Sequence, residues 1–248
     1  MSDAAANAET AVRTPRERAR AQTIADIVRL GRDHLATHGA AALSLRAVAR
    51  DLGVVSSAVY RYVANRDELL TLLLVDAYNE LGDAVDAAVN ARPERDFAGR
   101  FTALGLAVRG WALREPARYG LLFGSPVPGY QAPASQTTAP GTRVIYRLVG
   151  ILDAAYRAGD LTPPACAAVV PPPVPPALAA DFETIRAELG LAVPDVLVAN
   201  GVLAWTSLFG AVSFEVFGQY GSETFSARDE LFEHHLAVLA GVAGFSSI

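Results

Sequence analysis

The segment spanning residues 44–70 limits what this chain can fold into more than any other stretch. Apolar side chains recur at i, i+3, i+4 and i+7 across residues 45–52, which places them on one face of a helix. Gly53 follows directly, and a glycine just past the last periodic residue ends a helix because it tolerates a left-handed backbone. A second short helical pattern occupies residues 56–63. The segment therefore predicts two short helices joined by a tight turn.

The second of these helices carries Ser57, Tyr60 and Arg61 on the side opposite its apolar residues. Small and hydroxyl-bearing side chains let a helix lie close to base edges, and Tyr and Arg reach phosphates. This pattern predicts a helix-turn-helix whose second helix enters the DNA major groove. A solvated helix pair in an ordinary helical protein has the same periodicity, so the pattern alone leaves both interpretations open.

The string LRAVARDLGVVSSAVYRYVANRDELL resembles the DNA-binding domain of the TetR family of bacterial transcriptional regulators. The resemblance covers roughly residues 16–90 and includes L-G-V at the turn and the acidic-Glu-Leu-Leu start of the next helix. It implies a double-stranded DNA operator as partner, contacted by Ser44, Arg46, Ser56, Ser57, Tyr60, Arg61, Tyr62 and Arg66. One departure is Val55, which occupies a position where the family usually has a polar capping residue; Ser56 is the substitute cap we expect.

The charge distribution agrees with one end of the chain meeting DNA. Residues 1–66 carry 10 Arg and 6 acidic residues, a net charge of +4, whereas the remainder carries 11 Arg and 20 acidic residues, a net charge of −9. All basic residues are Arg, so an arginine by itself is weak support for a binding site.

We expect a disordered arm over residues 1–15, a helix-turn-helix domain over 16–66 and a ligand-binding and dimerisation body over 67–248.

The body is predicted to be wholly helical, which makes the fold class all-α, a three-helix head on a larger helical body. Two stretches interrupt the helical patterns: residues 125–141, rich in Pro, Gly, Ser and Thr, predict a loop, and residues 161–176, rich in Pro, predict an extended connector. Cys166, the single cysteine, lies in that connector and is interpreted as an incidental thiol.

Residues 196–214 contain no charge and are long enough in principle to span a bilayer. Polar side chains interrupt them and no basic cluster flanks them, so we predict a buried helix, no membrane association and a cytoplasmic protein. A helix that is apolar all round is otherwise buried inside protein. Together with a last amphipathic helix, it predicts a homodimer through residues 194–220 and 225–244.

The resemblance implies a ligand-responsive regulator, most often a repressor, that releases a palindromic operator when an unknown small apolar effector binds the body. The candidate lining of the effector pocket is a set of body aromatics: Trp111, Tyr119, Phe123, Tyr146 and Phe209. No spacing predicts a catalytic residue, a cofactor or a metal site; His34 and His38 are four apart but have no third ligand nearby. The alternative is a helical small-molecule-binding protein or enzyme without a DNA role.

Overall fold

The structure, a computed structural model, describes residues 14–161 and 173–245. This part of the chain folds into ten α-helices, and its only β-type pairing is an isolated antiparallel bridge between Leu161 and Phe245. The predicted all-α class is therefore confirmed. Cys166 and most of the predicted connector lie outside the described residues, as do residues 1–13 of the predicted arm.

Four helices build the amino-terminal part. They are α1 (Pro15–His38), α2 (Leu45–Asp51), α3 (Ser56–Val59) and α4 (Arg66–Asn90), with a 3₁₀ turn at Ala40–Ala42 between the first two. Thr14 caps α1 in a reciprocal pair of hydrogen bonds with Glu17, so the last two residues of the predicted arm belong to the start of this helix. The helix α3 is shorter than its sequence pattern suggested, because the chain passes into a turn at Tyr60.

Six helices build the body: α5 (Phe97–Arg114), α6 (Pro116–Phe123), α7 (Ala134–Ala158), α8 (Pro176–Leu189), α9 (Asp195–Val216) and α10 (Arg228–Ala243). The loop predicted over 125–141 is wrong in its second half, because α7 begins at Ala134 and contains Pro140. Local rules treat Pro and Gly as helix breakers, but packing overrides them here. Gly141 lies against α4, where an added Cβ would approach the Tyr78 ring to 3.3 Å.

The buried apolar residues form two clusters. The smaller one, between α1, α2, α3 and the start of α4, includes Ile27, Val48 and Val59 and reaches Leu73 on α4. The larger one lies between α4 and the body helices. A domain boundary at residue 66 stays a prediction, but the first two turns of α4 pack in the smaller cluster. The helix α4 is therefore shared by both cores.

Two ion pairs fix the last two helices to α5. Arg109 donates to both carboxylate oxygens of Glu215 on α9, at 2.7 Å each, and to Asp229 on α10 at 2.6 Å. Burying this guanidinium is tolerated because all its charge is matched. Within one chain, only 28% of the most apolar window of α9 is buried, so its predicted burial depends on the predicted second copy. Its length and composition would also allow it to cross a membrane.

Candidate nucleic-acid interface

The turn between α2 and α3 depends on one glycine. Gly53 has φ of +74°, a left-handed conformation that other residues adopt only with strain. Its N–H donates to the carbonyl of Arg50, and the next N–H, of Val54, donates to the carbonyl of Ala49. These bonds close the carboxyl end of α2 and set the direction in which α3 leaves.

The buried side of α3 fixes which of its residues face outward. Val59 is 1% exposed and Val63, just beyond the helix, is fully buried in the smaller core. This orientation leaves Ser57, Tyr60 and Arg61 exposed and Ser56 half-buried. The structure thus brings five of the predicted DNA-contacting residues together on α3 and the turn that follows it, and one of them, Tyr62, is half-buried.

Ser44 and Arg46 stand at the start of α2. Ser44 occupies the N-cap position but its side chain makes no capping hydrogen bond, so its hydroxyl is available to an outside acceptor. Arg46 is exposed. Neither Arg46 nor Arg61 forms an ion pair with any residue that the structure describes, which leaves both guanidinium groups available to phosphates or bases.

Two predicted DNA-contacting residues have structural partners within the head. The Arg66 guanidinium donates to the carbonyls of Ala40, at 2.9 Å, and Ala41, at 3.3 Å, so it braces the 3₁₀ turn after α1. The ring of Tyr62 is half-buried against the smaller core, and the Arg20 guanidinium lies 5.4 Å from its centre. Their role toward DNA stays a prediction.

Sequence reasoning gave no base-facing role to Val54 and Val55. Val55 is 72% exposed at the N-cap of α3 and Val54 is 41% exposed beside it. Ser56 does not take over the cap, since α3 begins without any side-chain capping bond. The sequence already showed an apolar residue where a polar cap is expected. Valine methyls are suited to contact thymine methyl groups, so this position was a candidate for base contact.

His34 connects α1 to α2. Its Nε2 lies 2.6 Å from Oδ2 of Asp51 at the end of α2, and its ring stacks on His38 at 5.7 Å between centres. The hydrogen bond from His34 lowers the pKa of Asp51. The contact holds α1 against α2.

Four of the five predicted pocket aromatics belong to the larger core, where the Tyr119 and Phe123 rings lie 5.0 Å apart between centres, and Tyr146 does not. Trp111 and Tyr119 are buried and packed, with Trp111 donating to Glu80 and the Tyr119 hydroxyl 2.9 Å from that of Ser213. Burial raises the pKa of Tyr119, although the bond to Ser213 opposes the shift. Phe123 and Phe209 contact each other at 4.7 Å between ring centres. Tyr146, 47% exposed on α7, stands apart from the other four.

A cluster of charges connects head and body. Arg32 on α1 and Arg118 on α6 both bind Asp76 and Glu80 on α4, Arg118 at 2.9 and 2.7 Å. The Arg118 side chain is only 3% exposed. Nearby, the hydroxyl of Tyr130, in the loop after α6, lies 2.9 Å from that of Thr71 on α4. A shift of α6 would therefore act directly on α1 and α4, which share the smaller core with α2 and α3.

This fold and this exposed helix define a helix-turn-helix DNA-binding protein. The sequence model of the family described as bacterial regulatory proteins, tetR family, matches residues 27–73, and that of the tetracyclin repressor-like C-terminal domain matches residues 101–239. The chain belongs to the TetR family of transcriptional regulators, as its sequence resemblance indicated.

Related proteins support this family assignment, and solved structures share the fold. The chain is 46% identical over 227 residues to the HTH-type transcriptional regulators Rv1816 of Mycobacterium tuberculosis and Mb1846 of Mycobacterium bovis, covering 92% of this chain and 94% of each relative. The crystal structure of the regulatory protein SCO4313 superposes with a TM-score of 0.73 at 34% identity, covering 92% of this chain and all of that one. A Rhodococcus sp. RHA1 protein of unknown function shares the fold, with a TM-score of 0.61 at 21% identity over 87% of this chain and 94% of that one.

Proposed function

We propose that this regulator is a homodimeric repressor that holds a palindromic operator with two heads and releases it when a small apolar effector binds the body. The observation that carries the DNA-binding part is the exposed surface of α2 and α3, where Arg46 and Arg61 are free of ion pairs within the described chain. Base reading falls to Ser56, Ser57 and Arg61 in this proposal.

The remaining head residues position the protein on the duplex. Ser44 and Arg46 contact phosphate or a groove edge from the start of α2, and Tyr60, Tyr62 and Arg66 contact the sugar-phosphate backbone. Contacts of this kind carry affinity and register, not sequence information. Arg66 reaches DNA only if one of its bonds to the 3₁₀ turn is exchanged for a phosphate.

The dimer surface is the outward side of α9 and α10. Leu203 and Val238 are each 51% exposed and Phe214 is 47% exposed. Together with Ser207 and Gly210, Phe214 and Val238 line a shallow groove of about 550 Å³. A monomer rarely leaves such an apolar surface in water. A second copy across a two-fold axis would cover it, consistent with the helices predicted at 194–220 and 225–244.

A bilayer is a poorer occupant of this face than a second copy. Ser207 and Ser213 lie along α9, and Glu215 near its end is committed to the buried pair with Arg109. Charged groups held in an ion pair with a neighbouring helix fix α9 to the body. We therefore propose a cytoplasmic dimer without a membrane role.

Selection of bound sequences from random DNA by the purified full-length chain tests the proposal. We expect enrichment of an inverted repeat whose half-sites lie about 34 Å apart or a multiple of that distance. Gel shifts on the selected site should weaken steeply with salt, because arginine–phosphate contacts release counterions. A half-site enriched without a repeat would contradict the dimer, and no enrichment would favour the helical binding protein without a DNA role.

A further inference from the structure

A cleft of about 300 Å³ opens in the body between α7, α8 and α9. Its walls are almost entirely aliphatic, with Leu148, Val149 and Leu152 from α7, Ile185 from α8 and Leu197 and Val202 from α9. The volume lies at the lower end of the ~300–1,000 Å³ range typical of small-molecule sites. Of the five aromatics predicted to line an effector pocket, only Tyr146 lines this cleft.

Several of the lining residues leave apolar surface uncovered in the cleft. Val202 is 50% exposed, and Ile185 on the opposite wall is 37% exposed. Val149 is half-buried and lies outside the packed core. Apolar surface in a partly enclosed cleft is poorly solvated, and an apolar molecule that covers it gains the hydrophobic free energy.

The helix α8 forms a wall whose contacts with the rest of the described chain lie mainly near its carboxyl end. Phe182 is its single buried residue, so most of its length contributes little to the core. Just beyond its carboxyl end, Asp153 accepts from the N–H of Ala192 at 2.6 Å and Arg157 donates to the carbonyl of Gly190 at 2.9 Å. A helix with few buried contacts belongs to the low-stability part of a structure, and it can open to admit a ligand.

The charges around the cleft select the ligand class. Glu188 lines the cleft, and Asp181 lies on the same helix. The neighbouring cation, Arg186, is committed to Glu183 and Asp195. Arg157, which lies near the cleft at Gly190, is paired with Asp153. A carboxylate-bearing ligand would therefore meet the like charge of Glu188, while the nearby described arginines already have carboxylate partners, so an uncharged molecule is favoured.

The opposite side of α7 connects the cleft to the DNA-binding part. Arg143 donates to Asp83 and Asp86 on α4 at 2.8 Å each and to the carbonyl of Asn79. Its guanidinium lies so close to Gly82 that an added Cβ would be 2.7 Å from Cζ. A displacement of α7 on the cleft side is therefore transmitted to α4, which continues into the head.

We propose that the cleft between α7, α8 and α9 is the effector site, that it takes a small uncharged apolar molecule, and that Arg143 couples its occupancy to α4. This inference rests on the proposed function, since an effector presupposes a regulated operator.

Binding is tested with N-phenyl-1-naphthylamine, an uncharged probe that fluoresces in apolar surroundings. The probe should bind saturably at one site per chain and be displaced by 1-decanol but not by decanoate. Val149→Phe should weaken probe binding about tenfold or more by filling the cleft, whereas Val149→Ala should retain it. Leu113→Phe, at an exposed position of α5 outside the cleft, is the matched control. Unchanged affinity of Val149→Phe would overturn the site, and equal displacement by decanoate would overturn the ligand class.

Coupling is tested on the operator found by selection. Saturating probe should weaken operator binding by about 5- to 150-fold, the usual range for coupled sites. Arg143→Gln should bind the probe normally and lose that effect. An operator affinity indifferent to bound probe would overturn the coupling. If the chain binds the probe as described but enriches no DNA, the cleft is a ligand site and the proposed regulation of an operator is wrong. The failure of the cleft and the failure of the proposed function are therefore distinguishable.

Discussion

The head and the body expose opposite kinds of surface. The head has a small core and presents hydroxyl and arginine side chains around α3. The body has the larger core, yet presents Leu203, Phe214 and Val238 on its last two helices. The surface around α3 is mainly polar apart from Val54 and Val55, whereas the exposed surface of α9 and α10 is mainly apolar, although each part has a packed core of its own. The proposed function gives each surface a partner, duplex DNA for the first and a second copy of the chain for the second.

Charging the apolar surface should produce the largest effect. In the Phe214→Glu, Val238→Glu double variant, assembly would bury two unpaired carboxylates in each protomer, at a cost of about 5 kcal/mol or more. We expect a monomer in light scattering after size exclusion, with helicity retained. Leu113→Glu places the same charge on an exposed α5 position and should stay dimeric. An intact dimer in the double variant would show that the body pairs through other helices.

Removing the buried cation between head and body should produce the next largest effect. Arg118→Met leaves Asp76 and Glu80 with Arg32 alone, and we expect a loss of about 3 kcal/mol in the free energy of unfolding, measured by denaturant. Arg118→Lys, which keeps the charge, should lose less. Equal stability of Arg118→Met and the parent chain would mean that the cluster does not hold the two parts together.

The same cluster has a pH signature. Burial raises the pKa of Glu80, but hydrogen bonds from Arg118 and Trp111 outweigh burial and bring it below its ordinary value. A carboxylate with a lowered pKa stabilises the fold above its unfolded pKa of about 4.3 and loses that contribution as pH falls further. The stability gap between the parent chain and Arg118→Met should therefore narrow on acidification below about pH 4.3. A stability difference that does not change with pH would show that Arg118→Met acts through lost packing and not through lost charge pairing.

On the polar surface, Arg61→Ala should weaken specific operator binding by about 1–3 kcal/mol if Arg61 reads a base. Binding to unrelated DNA should fall much less, because a base contact carries specificity rather than general affinity. Gel shifts with both duplexes measure this difference. Arg114→Ala, at an exposed arginine of the body, is the control. An equal loss on both duplexes would make Arg61 a phosphate contact.

The smallest effect is expected at the apolar cap of α3. Val55→Ser supplies the missing side-chain cap and should stabilise the chain by about 1 kcal/mol in thermal unfolding. If the Val55 methyls touch thymine, the same variant should bind the operator more weakly despite its greater stability. A rise in both quantities would show that Val55 has no role in reading.

The sequence predicted the parts that follow local rules. The turn at Gly53 follows from a glycine placed just past a periodic helix, and α9 falls within the helical stretch predicted over 194–220. The start of α7 at Ala134 did not, because packing against α4 overrides the helix-breaking tendency of Pro140. Long-range contacts decide such cases, and no local window contains them.

The candidate site residues also divide into those that local sequence patterns predict and those that depend on long-range contacts. Which side of α3 faces outward was readable from its apolar spacing, and the structure agrees for Ser57, Tyr60 and Arg61. The bonds from Arg66 to the 3₁₀ turn were not readable, because they join residues 25 and 26 positions apart. Aromatic composition likewise does not distinguish the packed core around Trp111 from an open cleft, which here is mostly aliphatic.

The 25 residues of α4 form one uninterrupted rod that begins in the head and runs along the body, packed against α5 and α7. Such a rod is about 37 Å long at ~1.5 Å per residue, so tilting it by roughly 10° at its body end swings the far end by about 6 Å. Successive major grooves on one side of B-form DNA recur about every 34 Å, so two heads each displaced by that amount would fall out of step with the duplex. In the proposed mechanism, a lever of this length would convert a small adjustment beside α7 into a mismatch with the operator.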